Sequence, residues 1–325
     1  AQDAEAISRV VKIQDVKFSL VAEPLVPSLR MLLREYYAIS DMLTELKNRL
    51  CTDLYLLFPG YLDVFSNPFG KASLKILRDY QTPQAILSEN PDTLAQMIAK
   101  TSRKGLIWGQ KKVAKLVAMA QLCLSMPMEF SILSRKIQYH LDGIETFQAN
   151  LEGLKDELAG MISNVDFPKN VRDSIILLEA MPGIGFLTAA TILAEIGDFS
   201  RFHSPKALVA FFGIDPGVNQ SGKFNGDRNK ISKRGTRFGR RVLFTAALAS
   251  IRTTCKGDPI NPVLRDYYQN KCQNKKKKVA LVAVMHKLLH YIFAVLRDQK
   301  PFEFRSPEDH QSWRNSTHSS LTLAA

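Results

Sequence analysis

Ser221 stands between Gln220 and Gly222 and opens a dense run of cations: Lys223, Arg228, Lys230, Lys233, Arg234, Arg237, Arg240 and Arg241. Asp227 is the only acid among them. Upstream lies a glycine turn, Pro182-Gly183-Ile184-Gly185, followed by the apolar stretch Thr188 to Leu193. A serine hydroxyl that attacks a phosphodiester needs cations around the nonbridging oxygens, and arginines also favour the alkoxide form. A glycine turn at a helix N-terminus offers N–H groups to phosphate without reading base sequence. Together these parts suit chemistry on a nucleic-acid backbone. Taken singly they are weaker. A loop serine beside basic residues is ordinarily a solvated turn, and on the residues alone that reading of Ser221 is favoured. For the glycine turn, phosphate binding by Gly183 and Gly185 is favoured over a purely structural corner.

Charge supports a polyanionic partner. Residues 201–300 hold 21 Lys and Arg against 5 Asp and Glu, whereas the rest of the chain holds 23 against 26. The formal charge of +13 is therefore a property of one segment, and charge so localised implies an electrostatic footprint rather than a solubility device. Lys275 and Lys276 begin a second cluster, Lys275 to Lys278, for which phosphate contact and plain solvation are equally good readings. His286 and His290 share a helix face; with no nearby carboxylate they are expected in a core or interface rather than on a metal. Four scattered cysteines (Cys51, Cys123, Cys255, Cys272) form no CxxC pair, which fits a reducing cytoplasm. Asp3 and Glu5 stand where a signal peptide needs basic residues. The one membrane-length apolar stretch, Val279 to Leu296, is broken by His286, Lys287 and His290, so a buried helix is expected.

The elements that must position these residues are nearly all helical, so the fold class is mainly α. From Pro27 to Leu57, Leu29, Leu32, Leu33, Tyr36, Ile39, Leu43, Leu46 and Leu50 recur at spacings of three and four, and Pro59-Gly60 ends the helix. A matching stripe runs from Ile132 to Ile162. Between them, residues 59–127 read as a helical insert, with helix starts at Thr82-Pro83 and Asn90-Pro91. Two long helices flanking an insert suggest an antiparallel, coiled-coil-like stalk that mediates self-association, or else a plain bundle. Residues 306–320 are rich in Ser, Asn, His and Thr and are expected to lie in a disordered tail.

In the order glycine hairpin, Phe212-Gly213-Ile214, Gln220-Ser221-Gly222, Ile231-Ser232-Lys233-Arg234-Gly235 and Arg240-Arg241-Val242-Leu243, the chain resembles the DEDD-type transposases of the bacterial insertion-sequence one-ten family. These are bridge-RNA-guided serine recombinases. The resemblance runs from Ala1 to about Phe302. It implies a remnant of an RNase H-like, RuvC-like domain at 1–20, a first stalk helix at 21–58 and the insert at 59–127. A second stalk helix at 128–168 follows, then a transposase domain with a helix-hairpin-helix at 169–303 and a tail at 304–325. It also implies that Ser221 is the nucleophile and that Asp3 is the fourth acid of a Mg²⁺ site. The partners it implies are DNA, a structured guide RNA and further copies of the chain in a dimer or tetramer. The other metal-binding acids of the family have no counterpart here, so this chain alone is expected to be inactive. A non-catalytic nucleic-acid-binding remnant is the alternative.

Overall fold

The computed structural model describes residues 25–125, 130–217, 220–221, 224–225 and 230–313; for 220, 221, 224 and 225 only the backbone is described. The segment expected to be an RNase H-like remnant, Asp3 included, lies outside the described residues. Helices dominate, as the patterning predicts. The chain divides into two compact units, one made of 1–34 with 158–325 and the other of 35–157.

Unit 35–157 contains most of α1 (Leu25–Leu57) and of α7 (Phe130–Ser163). Within it the two run antiparallel: Leu46 lies against Gly143, while Asp53 pairs with Lys136. A Cβ on Gly143 would come 2.6 Å from Leu46 Cδ2, so the glycine permits the close approach. Asp53 is 2% exposed, and its Oδ1 accepts from Lys136 Nζ at 2.7 Å. Between these helices come α2 (Tyr61–Val64), α3 (Lys71–Asp79), α4 (Pro83–Ser88), α5 (Pro91–Ser102) and α6 (Leu106–Leu124). Thr82 and Asn90 cap α4 and α5 through their side chains, each with proline just inside the helix. One core joins the insert to the long helices: Leu50, Leu54 and Phe58 share it with Ile76, Leu94, Leu116 and Ile144.

The other unit is built around α13 (Lys277–Asp298), which packs against α8 (Lys169–Glu179), α10 (Pro205–Phe211), α11 (Arg237–Ser250) and α12 (Pro262–Asn274). Its apolar length is thereby explained. Ala280, Leu281, Val284, Met285, Leu288, Leu289, Ile292, Phe293, Val295 and Leu296 are all buried, as expected of a core helix. By length and composition alone α13 would also pass for a membrane span. The first turns of α1 belong to this unit: Arg30 Nε donates to Ala194 O, and Arg34 forks onto Glu195, both near the C-terminus of α9 (Phe186–Ile196).

The expectation of a disordered tail needs correction over its first part. Residues 307–313 are helical. Ser306 Oγ accepts from Asp309 N at 3.0 Å, the Arg305 guanidinium lies 4.5 Å from the Trp313 ring centre, and Phe302 packs on Tyr291. A helix cap and a few aromatic rings are enough to order this stretch, although its average composition is polar. Residues 314–325 lie outside the described residues.

Candidate nucleic-acid interface

Two loop pairings position the residues singled out from sequence. The first is the turn between α8 and α9. Ile184 N donates to Met181 O, and Gly183 has φ +95°, a backbone region that glycine reaches freely. A Cβ there would meet Ser250 N at 2.7 Å, and Ser250 Oγ lies 2.9 Å from Pro182 O. Gly183 therefore serves a close backbone approach between this turn and the end of α11. Gly185 differs: it is exposed, has open space around it, and begins α9 with no side-chain cap and no acid in the first turn. The donors at the N-terminus of α9 are the part of the turn suited to an anion.

The second is a hairpin spanning 213–235. Its stem pairs Pro216 with Ile231; Gly217 N donates to Lys230 O, Ser232 N to Asp215 O and Lys233 N to Gly213 O. Ser232 Oγ adds a 2.5 Å bond to Asp215 Oδ1. Further out, β1 (Gln220–Ser221) pairs antiparallel with β2 (Phe224–Asn225), setting Ser221 opposite Phe224. This short β-ladder is an exception in a chain read as helical. The side chain of Ser221 lies outside the described residues, as do Lys223 and Arg228.

The hairpin base is locked by glycines. Gly213 has φ +65°, and a Cβ on it would sit 2.6 Å from Arg234 N. A Cβ on Gly235 would run into the Phe211 carbonyl, and one on Gly239 into the Phe212 ring. The Phe-Gly-Ile and Lys-Arg-Gly triplets are thus two halves of one backbone contact, and a third glycine lets α11 close on the same phenylalanine.

The cations divide by role. Lys230, Lys233, Arg234 and Arg237 are exposed, and Arg241 is half-buried. Arg240 instead turns back: its Nη1 donates to Gly235 O at 2.5 Å and Lys233 O at 3.2 Å, with Phe212 O at 3.4 Å, which makes it a brace for the hairpin base. Lys233 has φ +56°, a conformation that costs free energy outside glycine. Arg237, Arg240 and Arg241 lie in the first two turns of α11, which carries no acid in its first turn. Cations at a helix N-terminus oppose the dipole, and a bound anion would relieve that opposition. Lys275 and Lys276 are exposed on a separate loop, the α12–α13 turn.

Sequence reading missed Arg34 and Glu195. Arg34 makes two 2.9 Å bonds to the Glu195 carboxylate, of which 5% is exposed. The hydrogen bond that Arg34 donates to Glu195 holds the Arg34 pKa above its ordinary value against the opposing effect of burial. Arg34 also lies 5.4 Å from the Phe238 ring centre, so it ties α9 to the start of α11. A glutamate inside an otherwise apolar helix was the available signal. The rings of His286 and His290 lie 4.8 Å apart, tilted to each other, on one face of α13, as their spacing predicts. No group of three His, Cys, Asp or Glu among the described residues could hold a metal ion. The Mg²⁺ site implied by resemblance rests on Asp3, which lies outside the described residues.

Residues 176–269, from α8 to α12, match the family model described as Transposase IS116/IS110/IS902 family. The pilin gene-inverting protein of Moraxella bovis is 34% identical over 132 residues, which is 41% of this chain and 39% of that protein. The transposase for insertion sequence element IS1111A of Coxiella burnetii is 32% identical over 131 residues, 38% of this chain and 33% of that protein. An IS116 insertion-element protein of Streptomyces clavuligerus is 23% identical over 322 residues, covering 93% of this chain and 72% of that relative. The chain spans between about a third and two fifths of the length of the curated relatives that match at higher identity. Turn, hairpin and α11 all fall inside the matched segment, and through that segment the chain is similar to the transposases of the IS116/IS110/IS902 family.

Proposed function

We propose that the chain works on DNA as an insertion-sequence transposase, with Ser221 as the nucleophile. The observation that carries this reading is the 213–235 hairpin. Glycines lock its base, its β-pair includes Ser221, and Lys230, Lys233, Arg234 and Arg237 are exposed along its return limb and at the start of α11. In the reaction the Ser221 oxygen loses its proton and bonds to phosphorus. The phosphorus–oxygen bond to one deoxyribose breaks, and the departing sugar oxygen takes up a proton as a free hydroxyl. The cations balance charge on the nonbridging oxygens during attack. The α8–α9 turn, read as a helix-hairpin-helix, holds a phosphate further along the duplex at the N–H groups following Gly185. A guide RNA that selects the site, assembly into a dimer or tetramer and cytoplasmic residence belong to the same proposal.

The test is Ser221→Ala. In a transposase that joins this chain to the metal-binding acids the resemblance implies, denaturing electrophoresis with labelled element DNA should show a covalent protein–DNA adduct for the parent and none for the variant, while DNA affinity stays within about twofold. Adducts that persist in the variant would remove Ser221 from this role.

A further inference from the structure

The insert in unit 35–157 holds a basic surface that the overall charge sum conceals. Between Asp92 and Glu129 the sequence contains no acid, yet it contains Lys100, Arg103, Lys104, Lys111, Lys112 and Lys115. Folding brings Lys71, at the start of α3, to the same place. A cavity of about 280 Å³ is lined by Gly70, Lys71, Ser73, Lys104, Trp108 and Lys112 among others.

The construction is specific. Gly109 lets α6 approach Ala95 of α5, which sets the angle of the turn between them. In that turn Arg103 (φ +58°) and Gly105 (φ +81°) adopt left-handed conformations and project Lys104 beside α6. Lys104 and Lys112 Nζ lie 4.9 and 5.3 Å from the Trp108 ring centre, so the indole holds two ammonium groups on one ring. Lys112 also donates to Val64 O. Burial, then the nearby charges of Lys115 and Lys104, push the Lys112 pKa down, with no carboxylate acting in the opposite direction. The N-terminus of α3 opens into this cavity, with Gly70 as its cap residue, no side-chain cap and no acid in its first turn. Beside it, Leu106 and Ile107 are 48% and 73% exposed.

Cations gathered with no counter-ion among the described residues are held apart from their lowest energy unless an anion joins them. A single phosphate would need only the cavity. Here further cations stand on the same two helices and their turn, Lys100, Arg103, Lys111 and Lys115, all exposed, with Lys115 near enough to act on Lys112, which matches a repeating polyanion. We propose that this surface binds the sugar–phosphate backbone of a nucleic-acid strand, giving the chain a second anchor on the insert, built from residues separate from the Ser221 hairpin.

Trp108 provides a local readout, because Trp313 is the only other tryptophan. In a Trp313→Phe background, Trp108 emission would be titrated with DNA and RNA oligonucleotides about 20 nucleotides long, longer than the ~4–16 nucleotides that a single OB fold covers. Inorganic phosphate and phosphatidylserine vesicles form the parallel arms. The expected result is saturable quenching by oligonucleotide, weakened at least about tenfold by Lys71→Glu/Lys104→Glu/Lys115→Glu. Arg237→Ala/Arg241→Ala should leave the Trp108 signal in place. Lys112 is kept because it bonds to Val64 O, and unchanged circular dichroism would show the triple variant folded. A silent Trp108, quenching indifferent to the triple variant, equal quenching by inorganic phosphate, or a response to vesicles alone would each overturn the proposal. Adduct formation at Ser221 is scored separately, so either proposal can fail without the other.

Discussion

Gly213 and Gly235 face each other across the base of the hairpin so closely that a Cβ on Gly213 would sit 2.7 Å from Gly235 N. The neighbouring atoms are backbone, which cannot step aside as a flexible side chain would. Gly235→Ala, whose methyl would strike the Phe211 carbonyl, should therefore destabilise unit 1–34/158–325 by about 3 kcal/mol. Urea unfolding measures it, and a loss below about 0.5 kcal/mol would mean the two limbs do not interlock.

Arg240 and Arg237 are neighbours on α11 with opposite expected behaviour. Arg237→Ala removes an exposed cation, so it should leave unfolding nearly unchanged while lowering the slope of log affinity for DNA against log salt by about 0.9. Arg240→Ala frees carbonyls of Gly235 and Lys233 from their donor and should reduce stability by about 1–3 kcal/mol. Equal effects of the two substitutions on both readouts would contradict this division.

The fork between Arg34 and Glu195 is asymmetric, with Arg34 at 45% side-chain exposure and Glu195 at 5%. Arg34→Ala strands a buried carboxylate, whereas Glu195→Gln keeps shape and leaves a half-exposed guanidinium free to hydrate. Thermal unfolding should rank Arg34→Ala as clearly the more destabilising, and the reverse order would place the burial on the wrong partner.

Acid should weaken the same unit through His286 and His290. Burial lowers both pKa values below the ordinary histidine value, and His286 and Lys206 lower His290 further. The unfolded chain takes up these protons near pH 6.5, while the folded chain resists until lower pH. Stability is therefore fully present above about pH 6.5, falls as pH drops through the window below it, and levels off once the folded pKa values are passed. His290 Nε2 is buried with no hydrogen-bond partner among the described residues, so His290→Phe should keep the packing and flatten the pH dependence of the urea midpoint between pH 5 and 7. A midpoint that rises on acidification would reverse the sign.

Much of this protein follows from local sequence. The spacing of Leu29 to Leu50 determines α1, because an apolar stripe of helical period has only one regular way to be buried. Pro83 and Pro91 mark helix starts for reasons that operate within one turn. The apolar length of α13, interrupted by two histidines, determines a core helix, and the cations following Ser221 determine where the positive charge of the chain is concentrated. Contacts between segments far apart in sequence leave no such local pattern. Only the tertiary structure sets Gly183 against Ser250, joins Gly213 to Gly235, turns Arg240 inward while Arg237 stays exposed, and forks Arg34 onto Glu195 161 residues away. The same holds for the insert. Its cations vanish in a sum over the rest of the chain, because charges that cancel in composition need not be neighbours in space, and the folding of α3, α5 and α6 decides which of them meet.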